Sequence, residues 1–290
     1  VGGAYFARRN LKLGRGDRKG AFRIAIVGTL FGVVDWALGT HHVADTNVVF
    51  GKFMENLGRA VFLGVLLYVI YLALEPFVRR RMPGLLISWS RLLSGGSRDP
   101  LVGRDILIGI AFGLLVTLAS RAVVALPWWI NVPNTVPLPT TRFVTGGAVT
   151  AFSMLFAAIT QGLLNGMAFL GGFFIFRVVF RVQWLAVGAM TLLLSVLFVA
   201  DVINIGVTLG FGLAVSALLM TVLLRFGLLA FTICWCTFLL NAVFYMPFDL
   251  SQSHGSNLLL PLGLIIGAAL FGFYRSLGGR AVVGVALAED

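Results

Sequence analysis

Arg79, Arg80 and Arg81 stand in a row just beyond an apolar run from Val61 to Ala73. A helix that crosses hydrocarbon has to stop where three guanidiniums meet water and lipid phosphate, so the triplet marks a cytoplasmic face. The same arrangement, an apolar stretch closed by basic residues, recurs along the chain. With 59% hydrophobic and 11% charged residues there is too little polar surface to cover a soluble globule. A mean hydropathy of +0.98 agrees with a lipid-embedded protein. The net charge of +11 is therefore read as topology rather than as a nucleic-acid footprint, because the basic residues sit at span ends.

The expected fold is all-α: a polytopic transmembrane helical bundle of about eight spans in a single membrane domain, 1–290, with both ends cytoplasmic. The spans are placed near Ala21 to Leu38, Ala60 to Phe77, Ile106 to Leu126, Gly146 to Phe180, Trp184 to Ala200, Ile205 to Arg225, Phe226 to Phe244 and Leu258 to Tyr274. Residues 7–23 and 78–105 form basic cytoplasmic loops, and residues 39–58, 127–145 and 246–257 form outer loops. The run from Gly146 to Phe180 is long for one upright span and short for two, and Gln161, Asn165 and Gly166 mark where it could bend. Charge decides for one crossing. It leaves only Lys52, Arg59, Arg121 and Arg142, of 22 Lys and Arg, at or near the outer surface. This places the chain in the bacterial inner membrane.

Three basic stretches carry a family resemblance. YLALEPFVRRRMPGLLISWSRLLSGGSRDPLVGRD (Tyr71 to Asp105), FARRNLKLGRGDRKGAFR (Phe6 to Arg23) and GFYRSLGGR (Gly272 to Arg280) resemble one family module. It is the polytopic membrane module at the C-terminal end of a group of bacterial serine/threonine protein kinases, known chiefly from acidobacteria. The resemblance implies a non-catalytic module that anchors, and relays signals to, a kinase domain upstream on the same polypeptide. The opening VGGAYFARRN reads as the end of an apolar helix at its basic stop, which fits an upstream part. No glycine-rich loop with a strand lysine, no HRD with its downstream Asn and no DFG occurs, so no catalytic role is carried onto any residue.

Asp35, near the outer end of the first span, and Arg121, near that of the third, lie at similar depth. A charge left alone there costs roughly 2.5–3.5 kcal/mol on insertion scales, so a structural ion pair is expected ahead of a proton or ion relay. Gln161 and Asn165, one turn apart in an otherwise apolar segment, form a polar seam suited to an interhelical hydrogen bond. The interfacial basic cluster comprises Arg79, Arg80, Arg81, Arg91, Arg98 and Arg104, with anionic lipid headgroups as its partner. Within it Glu75 and Arg79 are spaced as an ion pair, and Gly84 to Leu93 has the pattern of a short amphipathic helix in the inner headgroup layer.

Cys234 and Cys236, two apart in an apolar helix, favour neither a disulfide nor a metal pair. His41, His42 and Asp45 could meet Asp201, Asp249 or His254 around a metal, but the spacing fits no zinc signature and solvated loop residues are the simpler reading. No cofactor is expected. Small residues four apart recur as Gly28 with Gly32, Gly109 with Gly113, Gly162 with Gly166, Gly206 with Gly210, and Gly263 with Gly267. They let helices approach closely, in the bundle, in a homodimer or in a larger membrane complex. An accessory subunit of a respiratory or photosynthetic complex is the alternative function. A transporter or channel is disfavoured by the lack of midplane charge and of a repeat.

Overall fold

The computed structural model describes residues 2–40, 45–129, 148–197, 205–243 and 259–278. Among them are nine α-helices, one 3₁₀ turn and no strand. The helices are α1 (Gly2–Lys12), α2 (Arg18–Gly39), α3 (Thr46–Arg81), α4 (Ile87–Leu93), α5 (Pro100–Trp129), α6 (Ala148–Phe180), α7 (Gln183–Leu197), α8 (Ile205–Val243) and α9 (Leu259–Ser276), with the 3₁₀ turn at Pro83–Leu86 between α3 and α4. Five are long and apolar enough to cross a membrane, namely α2, α3, α5, α6 and α8, while α7 and α9 are shorter apolar helices. The chain is thus an all-α protein of multi-pass membrane type.

Three aspartates start helices. Asp17 Oδ1 accepts from the Gly20 amide at 2.8 Å, Asp45 Oδ1 from the Asn47 and Val48 amides at 2.9 and 3.3 Å, and Asp99 Oδ1 from the Leu101 amide at 2.9 Å. Each occupies orphan N–H groups at a helix start, and Pro100, which lacks an N–H, takes the first position of α5.

These caps correct the expected loops. The outer loop 39–58 is helical from Thr46 onward, because Asp45 caps α3 and nothing between it and the apolar run breaks the helix. At ~1.5 Å per residue the 36 residues of α3 extend well past a ~30 Å hydrocarbon layer. The basic loops 7–23 and 78–105 likewise divide mainly into α1, the start of α2, the end of α3, the 3₁₀ turn, α4 and the start of α5. Charged residues can stay helical in the headgroup layer, so a basic run marks depth rather than loop. Of the outer loop 127–145, residues up to Trp129 belong to α5, and the rest, with the outer loop 246–257, lies outside the described residues.

The long run of uncertain shape is one helix, α6, of 33 residues. In contrast, α8 is broken at Gly227, whose φ of 90° and ψ of −177° are not helical. The break falls two residues beyond Arg225, close to the boundary expected between Arg225 and Phe226. It divides α8 into 205–226 and 228–243.

The second part of α8 forms the centre of the bundle. Leu228, Ala230, Phe231 and Cys234 are all fully buried. Glycines let the neighbouring helices approach it. A Cβ on Gly109 would lie 2.6 Å from the Ala230 carbonyl oxygen, and one on Gly113 2.7 Å from that of Cys234. On the other side, Cβ atoms on Gly166 and Gly162 would meet Thr232 Oγ1 at 2.7 Å and Cys236 Sγ at 2.3 Å. The matching order shows that 228–243 runs parallel to α5 and antiparallel to α6. Gly28 and Gly32 admit α3 in the same way, against Leu67 and Ala60. Three of the five small-residue pairs are therefore filled inside the bundle. Among the described residues, Gly263 and Gly267 of α9, and Gly210 of α8, meet nothing within 4 Å, and Gly206 lies where side-chain surroundings are not described.

Candidate functional site

Two polar regions stand out at opposite ends of α2, α3 and α6. The first is the basic end, where α3 packs against α1 and against the 3₁₀ turn that leads into α4. Pro76 lies inside α3, so the carbonyl of Leu72, one turn earlier, loses its helical N–H donor. Leu72 is fully buried, and water cannot take the donor's place. Asn10 of α1 replaces it: its Nδ2 donates to Leu72 O at 2.8 Å and, more weakly, to Ala73 O at 3.4 Å. Asn10 is itself only 6% exposed. One side chain thus repairs the proline defect and fastens α1 to the bundle.

Glu75 sits beside this junction and is buried. Its Oε1 pairs with Arg79 Nε at 2.7 Å, as the spacing predicts, and its Oε2 accepts from the Asp17 amide at 3.3 Å. Asp17 therefore caps α2 with its side chain while its own amide rests on α3. Arg23 donates to the Leu93 carbonyl, joining α2 to α4, and Arg18 donates to the Leu11 carbonyl at 2.9 Å.

All six arginines of the expected interfacial cluster are exposed. Arg91 pairs with Asp99 at 2.5 Å, and Arg104 with the neighbouring Asp105 at 2.8 Å, leaving Arg80, Arg81 and Arg98 without a carboxylate partner among the described residues. The cluster is thus partly neutralised by local acids. The short helix expected over Gly84 to Leu93 exists as the 3₁₀ turn and α4, but its apolar face does not enter the headgroup layer. Leu85, Leu86 and Trp89 are buried in the protein core, and the Leu85 carbonyl lies 2.8 Å from where a Cβ on Gly227 would stand. Amphipathic spacing marks a face that leaves water, and here the bundle takes that face instead of lipid.

The second region is a cleft of about 490 Å³ between the other halves of α2, α3 and α6. Leu74 meets Gly171, bringing α3 to α6 near the basic end, while Gly39 and Ser153 join α2 to α6 near the other. The opening between them is lined by Asp35, Asn56, Arg59, Ser153, Thr160 and Gln161, among others. This corrects the expected Asp35–Arg121 ion pair. Asp35 Oδ1 accepts from Ser153 Oγ at 2.6 Å, and Arg121 Nη2 donates to the Asn241 carbonyl at 2.8 Å. The two residues face different neighbours, Asp35 toward α6 and Arg121 toward α8, so equal depth does not bring them together.

No family model, curated protein or solved structure matches this chain.

The polar seam is also corrected. Asn165 Nδ2 donates to the Gln161 carbonyl of its own helix at 2.8 Å, and Gln161 is exposed toward the cleft. A local bond is available without ordering a second helix, and it wins. Cys234 and Cys236 are free and buried, the latter donating to the Ala158 carbonyl at 3.4 Å. Of the weighed metal ligands, Asp45 caps α3, while His41, His42, Asp201, Asp249 and His254 lie outside the described residues. Reasoning from sequence missed Asn10 and Ser153. Pro76 signals a carbonyl in need of a donor, and Asp35 a carboxylate in need of a partner, but neither names the residue that supplies it.

Proposed function

We propose that the chain is a non-catalytic membrane module of the bacterial inner membrane, crossing it eight times with both ends cytoplasmic, that anchors a serine/threonine kinase domain preceding it on the same polypeptide. The observation that carries the anchoring role is the junction at the basic end. Asn10 binds the first helix to buried backbone of α3, and in the loop after it the Asp17 amide donates to the buried Glu75 side chain of α3. A domain attached before α1 would be held to the bundle rigidly rather than through a slack linker, and a displacement of α3 would reach it through Asn10. The break at Gly227 supports separate crossings for 205–226 and 228–243. The exposed arginines at the same end support contact with anionic headgroups on the cytoplasmic side.

Single-cysteine labelling of the full chain in sealed vesicles tests the threading. Ser94→Cys and Gln183→Cys should label from the cytoplasmic side and Asn47→Cys from the other. The native thiols, buried within a span, should give little background. Labelling of Ser94→Cys and Asn47→Cys from one side sinks the threading. For the kinase link, fractionation of the full gene product with residues 1–290 deleted should move the kinase to the soluble fraction. A kinase that stayed on the membrane would refute anchoring.

A second reading, a subunit of a larger membrane complex, is favoured by one feature. Among the described residues Gly263 and Gly267 of α9 meet nothing within 4 Å, although three other such pairs are filled by helices. Co-migration with other membrane proteins on native gels, lost on Gly263→Leu, would support it.

A further inference from the structure

We infer that the cleft between α2, α3 and α6 is a binding site for a small zwitterion, a primary ammonium and an acid group on a short spacer, as in an aminophospholipid headgroup or a free amino acid. This goes beyond the anchoring role and does not depend on it.

The inference starts from groups whose needs the protein leaves unmet. Asp35 lies within the apolar helix Arg18–Gly39, four residues from its end. Its carboxylate receives one neutral hydroxyl bond, from Ser153, and no cation pairs with it among the described residues. A carboxylate at that depth is unfavourable until a positive group joins it. Thr160 of α6 also lines the opening, but its hydroxyl is closed off from it and, among the described residues, has no hydrogen-bond partner, so that oxygen is not offered to a ligand. Gln161, on the next position of α6, is exposed and lines the same opening. The α2–α6 wall therefore offers the Asp35 carboxylate and the neutral amide of Gln161, a setting suited to an N–H-rich cation.

The facing wall, α3, has the opposite character. Among the described residues Arg59 reaches only Glu55, one turn back, at 3.4 Å, and both side chains are largely exposed. Such a pair is weak and readily exchanged for a better anion. Asn56 bonds, among the described residues, only the Lys52 carbonyl of its own helix. An acid group held by Arg59 and Asn56, with an ammonium on Asp35 across the cleft, would satisfy both walls together. A volume of about 490 Å³ suits a headgroup or amino acid with a few waters.

The test uses the full chain in phosphatidylglycerol nanodiscs. One arm adds phosphatidylethanolamine, with phosphatidylcholine as the quaternary control, and reads retention by native mass spectrometry. The other arm titrates glycine and L-alanine and reads the shift in melting temperature. One arm should show binding. Retention of phosphatidylethanolamine alone assigns a lipid headgroup, and a shift with the amino acids alone assigns a soluble ligand. Asp35→Asn should weaken binding by more than about 10-fold, since it removes a charge-assisted hydrogen bond. Arg59→Gln should weaken it less, and Asn165→Ala, outside the cleft, should leave it unchanged. Arg59→Gln, at an exposed position of the facing wall, tests the inference even if Asp35→Asn does not fold. Failure of both arms, equal retention of phosphatidylcholine, or wild-type affinity in a folded Asp35→Asn protein overturns it.

Discussion

Removing the Asn10 amide isolates the contact that fastens α1. In Asn10→Ala the Leu72 carbonyl loses its donor, because Pro76 has no N–H to return and Leu72 is fully buried. Leaving a buried acceptor unmet costs about 1–3 kcal/mol. The lower half of that range is expected, since α1 lies at the bundle's end and a slight opening would admit water. Pro76→Ala supplies the missing N–H from within α3, so the carbonyl no longer depends on Asn10. In the Pro76→Ala background, Asn10→Ala should therefore cost markedly less, giving a coupling of about 1 kcal/mol or more. Reversible unfolding in bicelles, followed by tryptophan fluorescence for the four proteins of the cycle, reads this directly. Additive effects within about 0.5 kcal/mol would refute the reasoning, because the two residues would then not share the carbonyl.

Gly227→Ala should be among the most damaging single-methyl changes. It places a Cβ in a backbone region reserved for glycine and 2.8 Å from the Leu85 carbonyl oxygen, for a combined loss of about 2–5 kcal/mol. A melting temperature equal to that of the parent would contradict it. Gly109→Leu and Gly113→Leu should lower the melting temperature and broaden the size-exclusion profile, because their Cβ positions already meet α8 at 2.6 Å. Gly263→Leu, with nothing within 4 Å among the described residues, should leave the isolated protein's melting temperature unchanged.

Much of the architecture was legible because hydrocarbon imposes a one-dimensional rule. The apolar stretches from Arg18 to Gly39 and from Ala148 to Phe180 became helices because a backbone in lipid has to satisfy its own hydrogen bonds. The Glu75–Arg79 pair was legible for a related reason: four residues on one helix are neighbours whatever the rest of the fold does. The errors share an opposite cause. Asp35 and Arg121 were paired by depth alone, yet depth says nothing of which helices adjoin. Leu85, Leu86 and Trp89 were given to lipid although their pattern specifies only an apolar surrounding, and that surrounding is α8 and its neighbours.

Sequence by itself determined that this is an all-helical, multi-pass membrane protein with a basic end, because hydropathy and charge act along the chain and need no knowledge of neighbours. Because α3 continues through Pro76, the Leu72 carbonyl lacks a helical donor. Which side chain answers that need, and which polar residues share the cleft, was decided only by tertiary packing. Asn10 and Leu72 are 62 residues apart, and Asp35 and Ser153 are 118 apart. Separations of that size are closed by the way glycine faces let helices pack, a three-dimensional choice that no local pattern encodes.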